Sequence, residues 1–254
     1  MNSDTGVTLL DFTGTYAQQD FWRRSGGQRL DLTALSGTRG YCDEEAYAAL
    51  RRALAGYSAY GLHWLDSGNY HYATLLWLEK IAIPFDLLVL DHHTDRQPPA
   101  FEGMLSCGSW ILEAEKLPKL GRVYLLGPPE NQIRLLPPSV QEYCLAEEEL
   151  SPDRLKRWLK KSDRPLYVSF DKDLLSPETA PTDWDQGTLS LEEAAALLQA
   201  AGTCRSFLGA DFCGEWEGGQ PCVQNQINDR LNGELLRLLA ALRKRPSGVF
   251  SEPL

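Results

Sequence analysis
A chain of 254 residues exceeds the ~150 usual for one domain, yet α/β folds of ~200 to 250 residues commonly form a single unit, so one domain over 1–254 is expected. With 35 acidic against 25 basic residues the formal charge is -10, and no Lys/Arg cluster reverses it locally, which argues against nucleic acid as a partner. No run of ~18 apolar residues occurs, and MNSDTGVTLLDF lacks a basic region followed by an apolar stretch, so neither a membrane span nor secretion is expected.

In chain order, short β-rich runs alternate with helical patterns: GVTLLDF then DEEAYAALRRALAGY, GLHWLD then YHYATLLWLEKI, FDLLVLD then SWILEAEKL. RVYLLG, SPDRLKRWLKKS, PLYVSFD, LSLEEAAALLQAAG, SFLGAD and NDRLNGELLRLLAALRKR continue the series. Such alternation predicts a three-layer α/β/α fold with a mainly parallel sheet. LLVL, VYLL and LYVSF are apolar at nearly every position, as strands buried on both faces are. Asp43, Ser151 (with Pro152 after it) and Ser190 read as helix N-caps. Residues 96–105 and 214–225 read as Gly/Pro-rich loops following strand ends. Six cysteines (Cys42, Cys107, Cys144, Cys204, Cys213, Cys222) form no C-x-x-C pair and read as reduced thiols of a cytoplasmic protein.

Ligands of open α/β sheets bind beyond the carboxyl ends of the strands, so polar residues just after strands carry weight. Three places stand out: D91-H-H-T-D95, D171-K-D173, and His71 between GLHWLD and the helix that follows. In an extended chain Asp91, His93 and Asp95 share one face and His92 the other; Asp171 and Asp173 share a face by the same period. Four carboxylates in one crevice repel unless cations are present. Carboxylate and imidazole donors without thiolates suit Mn²⁺, Fe²⁺, Ni²⁺ or Zn²⁺. Two such ions bridged by carboxylates would activate a shared water, which implies hydrolysis by a metal-bridging hydroxide. The structural alternatives are a turn and cap device for Asp-x-Asp and a cap or core role for a lone histidine. His63, inside GLHWL, reads as core.

These residues resemble the ureohydrolase family of arginases, agmatinases and formiminoglutamases. S67-G-N-Y-H71 is similar to its Gly-Gly-Asp-His element, D91-H-H-T-D95 to its Asp-x-His-x-Asp element, and S169-F-D-K-D-L-L-S-P-E-T-A-P181 to its third motif, over about residues 60 to 215. The resemblance implies an arginase-like fold with two metal ions, usually manganese. One would be held by His71, Asp91, Asp95 and Asp171, the other by Asp91, His93, Asp171 and Asp173, with Asp91 and Asp171 bridging. It also implies attack on a guanidinium or formimidoyl carbon, with Glu215, or its rival Asp211, meeting the guanidinium. The expected partner is therefore a small guanidino or amidino substrate, and assembly into a homo-oligomer is left open.

The departures bear on substrate. The histidine element has an extra residue and Asn69 where an acid is usual, Ser176 replaces an acid before Pro177, and Cys107 stands where the family's proton-shuttling histidine does. Cys107 is the candidate replacement catalytic residue, with a small buried hydrophobe as its structural alternative. A catalytically silent or repurposed protein on this fold is one rival. Another is a phosphoesterase of the Asp-His-His type, but it shares only LDHH, and no histidine follows His93.

Overall fold
The computed structural model describes residues 6–99, 101, 104–217 and 222–243. The loops expected at 96–105 and 214–225 lie partly outside this set. Ten strands are described: β1 (Val7–Asp11), β2 (Gln28–Asp31), β3 (Tyr41–Cys42), β4 (Leu62–Trp64), β5 (Phe85–Leu90), β6 (Leu105–Ser106), β7 (Leu120–Gly127), β8 (Cys144–Ala146), β9 (Leu166–Asp171) and β10 (Phe207–Cys213). The helices are α1 (Glu44–Ala53), α2 (Thr74–Leu78), α3 (Trp110–Ala114), the single turns α4 (Glu130–Ile133) and α5 (Pro138–Gln141), α6 (Pro152–Leu159), α7 (Leu191–Cys204) and α8 (Val223–Leu242).

Eight strands form one sheet in the order β2-β1-β4-β10-β9-β5-β7-β8. Every pairing in it is parallel, and β3 and β6 make a separate antiparallel pair. Alternating side chains feed two cores. Leu88 and Leu90 of β5 join Phe170, Phe212, Leu198 and Leu235 on one face. Leu87 and Val89 join Trp77, Trp110 and Leu50 on the other. This is the three-layer α/β/α arrangement expected from the alternation, with helices on both faces.

Two edge strands escape the sequence pattern because β8 is an apolar run of only three residues and β2 is mostly polar and partly exposed. Helix α8 starts at Val223, within the segment expected to be loop and five residues before the expected NDRLN start. YHYATLLWLEKI is no continuous α-helix: a 3-10 segment Gly68–Ala73 precedes α2. Asp43 caps α1 by accepting from the Ala46 amide, and Ser190 forms a capping box with Glu193 at α7. Ser151 occupies the N-cap of α6 without a side-chain cap bond, leaving Pro152 as the start signal. No described helix is long and apolar enough to cross a membrane.

Candidate metal centre
The parallel sheet aligns the carboxyl ends of its central strands, and the sequence places its donors there. Asp91 follows β5, Asp171 ends β9, and the chain leaving β4 runs through Asp66 into the 3-10 segment that carries His71. A crevice of about 240 Å³ opens at this edge, lined by His71, Asp91, His93, Asp95, Asp171 and Asp173, with Cys107 and Trp184 among its walls. All six expected metal-site residues thus meet in one place. A larger depression of about 570 Å³ lies between Asp20–Ser25 and α8, lined by surface charges such as Arg24, Asp229 and Arg237. It lacks convergent buried donors, so its size does not make it the better site.

The donors fall into overlapping groups with ligand atoms within 4.8 Å of one another: His71, Asp91 and Asp95; Asp91, His93 and Asp173; His71, Asp171 and Cys213. Asp91 belongs to two of them, as a bridging carboxylate would. Its Oδ2 is buried with no hydrogen-bond partner, 3.3 Å from His71 Nδ1. An orphaned buried carboxylate oxygen is costly unless a cation or proton meets it. The donor set therefore fits divalent ions.

Outer contacts aim these donors. The Ser169 hydroxyl donates its one proton to Asp211 Oδ1 at 2.6 Å, so it accepts from His71 Nε2 at 2.9 Å. That fixes the imidazole proton on Nε2 and leaves Nδ1 facing Asp95 Oδ2 at 2.9 Å and Asp171 Oδ2 at 3.4 Å. The Trp110 indole N–H donates to Asp95 Oδ2 at 2.6 Å, and His93 Nδ1 lies 2.9 Å from Asp173 Oδ2. Burial pushes the carboxyls of Asp173 and Asp171 up, helped by the charges of neighbouring acids. Burial and the charge of Asp91 likewise lift Asp95 to about 6. Burial opposes the charged form of His93, but Asp173 and Asp91 outweigh it and raise the imidazole to about 12.

The residues after β5 converge by a turn rather than by extended periodicity. The His93 amide donates to Asp91 Oδ1 at 2.6 Å, and Asp95 sits at φ 47°, left-handed backbone that a non-glycine residue adopts at a cost of ~1 to 3 kcal/mol. His92 does leave the cluster, with Nδ1 3.5 Å from Glu147 Oε2. The Asp171 side chain also accepts from the Asp173 amide at 3.0 Å, so the turn device and the cluster coexist.

Glu215 is the site residue that the structure does not bring to the crevice. It is 0 % exposed and bonded to Lys172 Nζ at 2.6 Å, Gln19 Nε2 at 2.9 Å and Asn232 Nδ2 at 2.6 Å. Gly214 at φ 87° turns the chain there, and its missing Cβ would lie 2.5 Å from Asp171 Oδ1, so Glu215 points into the core behind the site. Its rival Asp211 is buried too, beneath Ser169. An acid that does reach the crevice wall is Glu217, which accepts from Ser67 Oγ at 2.8 Å and from Nδ2 of the lining residue Asn69 at 2.6 Å. Cys107 does line the crevice, but burial and Asp95 lift its thiol to about 12, so it holds its proton at neutral pH. His63 is core as expected, stacked on Trp77 at 3.8 Å.

Sequence reasoning missed Cys213. It ends β10 in register with Asp171, and its Sγ–H donates to Asp171 Oδ2 at 2.8 Å. The rule that weights polar residues at strand ends would have found it, had cysteine been counted among them.

No family model matches the chain. It is 31 % identical over 209 residues to a Thermotoga maritima protein described only as uncharacterized, covering 82 % of this chain and 79 % of that one. Among solved structures it resembles the proclavaminate amidino hydrolase from Streptomyces clavuligerus (18 % identity, 93 % of this chain, 91 % of that one, TM-score 0.63). It also resembles the formimidoylglutamase from Bacillus subtilis (12 %, 95 %, 88 %, 0.66) and an arginase from Medicago truncatula (17 %, 94 %, 86 %, 0.63). At such identities the likeness establishes the arginase-like ureohydrolase fold.

Proposed function
This chain belongs to one family with the Thermotoga maritima protein, and from that membership, its ureohydrolase fold and its crevice we propose that it is a dinuclear metal-dependent hydrolase of guanidino or amidino compounds, acting on a linear C–N bond. The carrying observation is the pair of donor groups that share Asp91: His71 and Asp95 on one side, His93 and Asp173 on the other. Asp171, which lines the same crevice with Oδ2 3.4 Å from His71 Nδ1, would complete the ligand set from the His71 side. Two divalent ions in these groups, with Mn²⁺ the first expectation and Fe²⁺, Ni²⁺ or Zn²⁺ the alternatives, supply Lewis acidity and activate water near neutral pH.

The chain's own residues do the rest. Ser169 and Asp211 hold the His71 proton on Nε2 and leave Nδ1 as a donor. The Trp110 indole fixes Asp95, and Trp184 walls the crevice beside His93, with ring centroids 5.5 Å apart. No lysine or arginine occurs among the described lining residues, and Asp185 stands 3.3 Å from His93 Nε2 at the rim. That balance suits a cationic amidino group and, among the described lining residues, offers an anionic tail no cationic side chain.

A second reading, a catalytically silent protein on this fold, is favoured by the protonated Cys107 thiol and by the burial of Glu215 away from the crevice. One experiment separates the two. Metal analysis after loading with Mn²⁺, followed by assays of urea, ammonia or formamide release over a panel of guanidino and formimino compounds, should give two ions per chain and turnover of at least one compound. Two ions without turnover on a broad panel would select the silent reading, and zero ions would remove both metal and hydrolase.

A further inference from the structure
Cys213 sets a buried thiol against a carboxylate of the crevice. It is fully buried at the carboxyl end of β10, directly opposite Asp171 in the parallel register with β9. A cysteine used only as a small hydrophobe packs its sulfur among apolar neighbours. Here Sγ points at a carboxylate oxygen 2.8 Å away, and that oxygen lies 3.4 Å from His71 Nδ1. Sγ, a carboxylate oxygen of Asp171 and an imidazole nitrogen of His71 lie within 4.8 Å of one another, all three residues buried. Beside them the buried Oδ2 of Asp91, without a hydrogen-bond partner, faces His71 Nδ1 at 3.3 Å. These are the donors of a mixed N/O/S cation site, set at the edge of the apolar cluster in which Cys213 also packs.

We propose that Cys213 is a thiolate ligand of the ion held by His71 and Asp171, giving this centre one sulfur donor and a preference for softer divalent ions than an all-oxygen and nitrogen shell would have. The inference rests on the metal reading of the crevice and refines it by naming the class of ion. Thiolate ligation favours Zn²⁺, Co²⁺ or Fe²⁺ over Mn²⁺. On binding, the Sγ–H bond breaks, its electron pair goes to the ion and its proton to solvent, so Asp171 Oδ2 loses a hydrogen bond and gains the cation.

Cobalt reports directly on sulfur ligation. Protein freed of metal and reloaded with Co²⁺ should show a thiolate-to-cobalt charge-transfer band in the near ultraviolet. The band should vanish in Cys213→Ser, which keeps a donor to Asp171, and persist in Cys107→Ser, the cysteine that lines the crevice. Chelator competition should give Cys213→Ser a loss of Zn²⁺ affinity of at least roughly tenfold, the lower end of what even an outer contact contributes, with a smaller loss for Mn²⁺. Circular dichroism and thermal melting of the metal-free variants establish that the fold is intact. Stoichiometric Co²⁺ without the band in the unsubstituted protein, or a band unchanged by Cys213→Ser, overturns the proposal while leaving the metal centre standing. Failure to retain any ion overturns both.

Discussion

At the scale of single residues, the buried charges divide into those that face the crevice and those that brace it. Lys172, next in sequence to Asp171, and Glu215 are both 0 % exposed and 2.6 Å apart. Removing one member of a buried pair strands the other charge, which costs ~3 to 5 kcal/mol. Glu215→Gln should therefore lower stability in urea denaturation by about that amount, with the ions bound per folded chain unchanged. A stable variant with lost turnover would instead return Glu215 to catalysis. His63 gives a pH signature of its own. Burial pushes its imidazole from 6.5 down to about 3, so the folded state refuses a proton that the unfolded chain accepts. Its stabilising contribution is complete above pH ~6.5 and declines as pH falls toward 3, by roughly 1.4 kcal/mol per unit. In metal-free protein the stability advantage over His63→Gln should narrow between pH 7.5 and 4.5; a constant gap would contradict this.

At the scale of elements, the centre depends on how strands end. Gly127 closes β7 at φ 119°, and a Cβ there would stand 2.5 Å from the Asp91 backbone oxygen and 2.3 Å from Leu174 Cδ1. The leucine tip can move, but the backbone that carries the shared ligand cannot move without displacing Asp91. Gly127→Ala should destabilise by ~1 to 3 kcal/mol and weaken both ions together, read by melting and by metal titration. Unchanged affinity would mean that β7 does not position Asp91. The capping residues Asp43 and Ser190 were legible because a cap is decided within four residues. The 3-10 segment before α2 was not, because it is fixed by contacts such as Tyr72 OH to the Thr38 carbonyl, 34 positions away.

At the scale of the whole molecule, Asp91, Asp95, Asp171 and Asp173 are packed into one buried edge of a chain that already carries a formal charge of -10. Cations that bind only the folded state stabilise it, by ~2.7 kcal/mol for each site at a hundred times its Kd. For a domain of this size that is a rise of about 5 to 10 °C in Tm per site. Thermal melts with saturating Mn²⁺ or Zn²⁺ should show such a rise, and EDTA should abolish it. No rise at saturation would mean that the crevice does not hold ions in the folded state.

The sequence by itself determined the alternation of strand and helix, the parallel sheet, the core role of His63 and the donor pairs within DHHTD and SFDKD. Each was legible because it rests on short-range pattern: buried strands are apolar throughout, and motifs such as DHHTD and SFDKD keep their donors within a few residues. Only the tertiary structure decided the rest. Glu215 and Cys213 lie two residues apart on the same strand exit, yet the turn at Gly214 sends one into a pair with Lys172 and leaves the other against Asp171. The order of β4, β10, β9 and β5 across the sheet brings His71, Cys213, Asp171 and Asp91 together from four separate segments. Which side of a strand end faces a neighbour is set by that order, and no local pattern contains it.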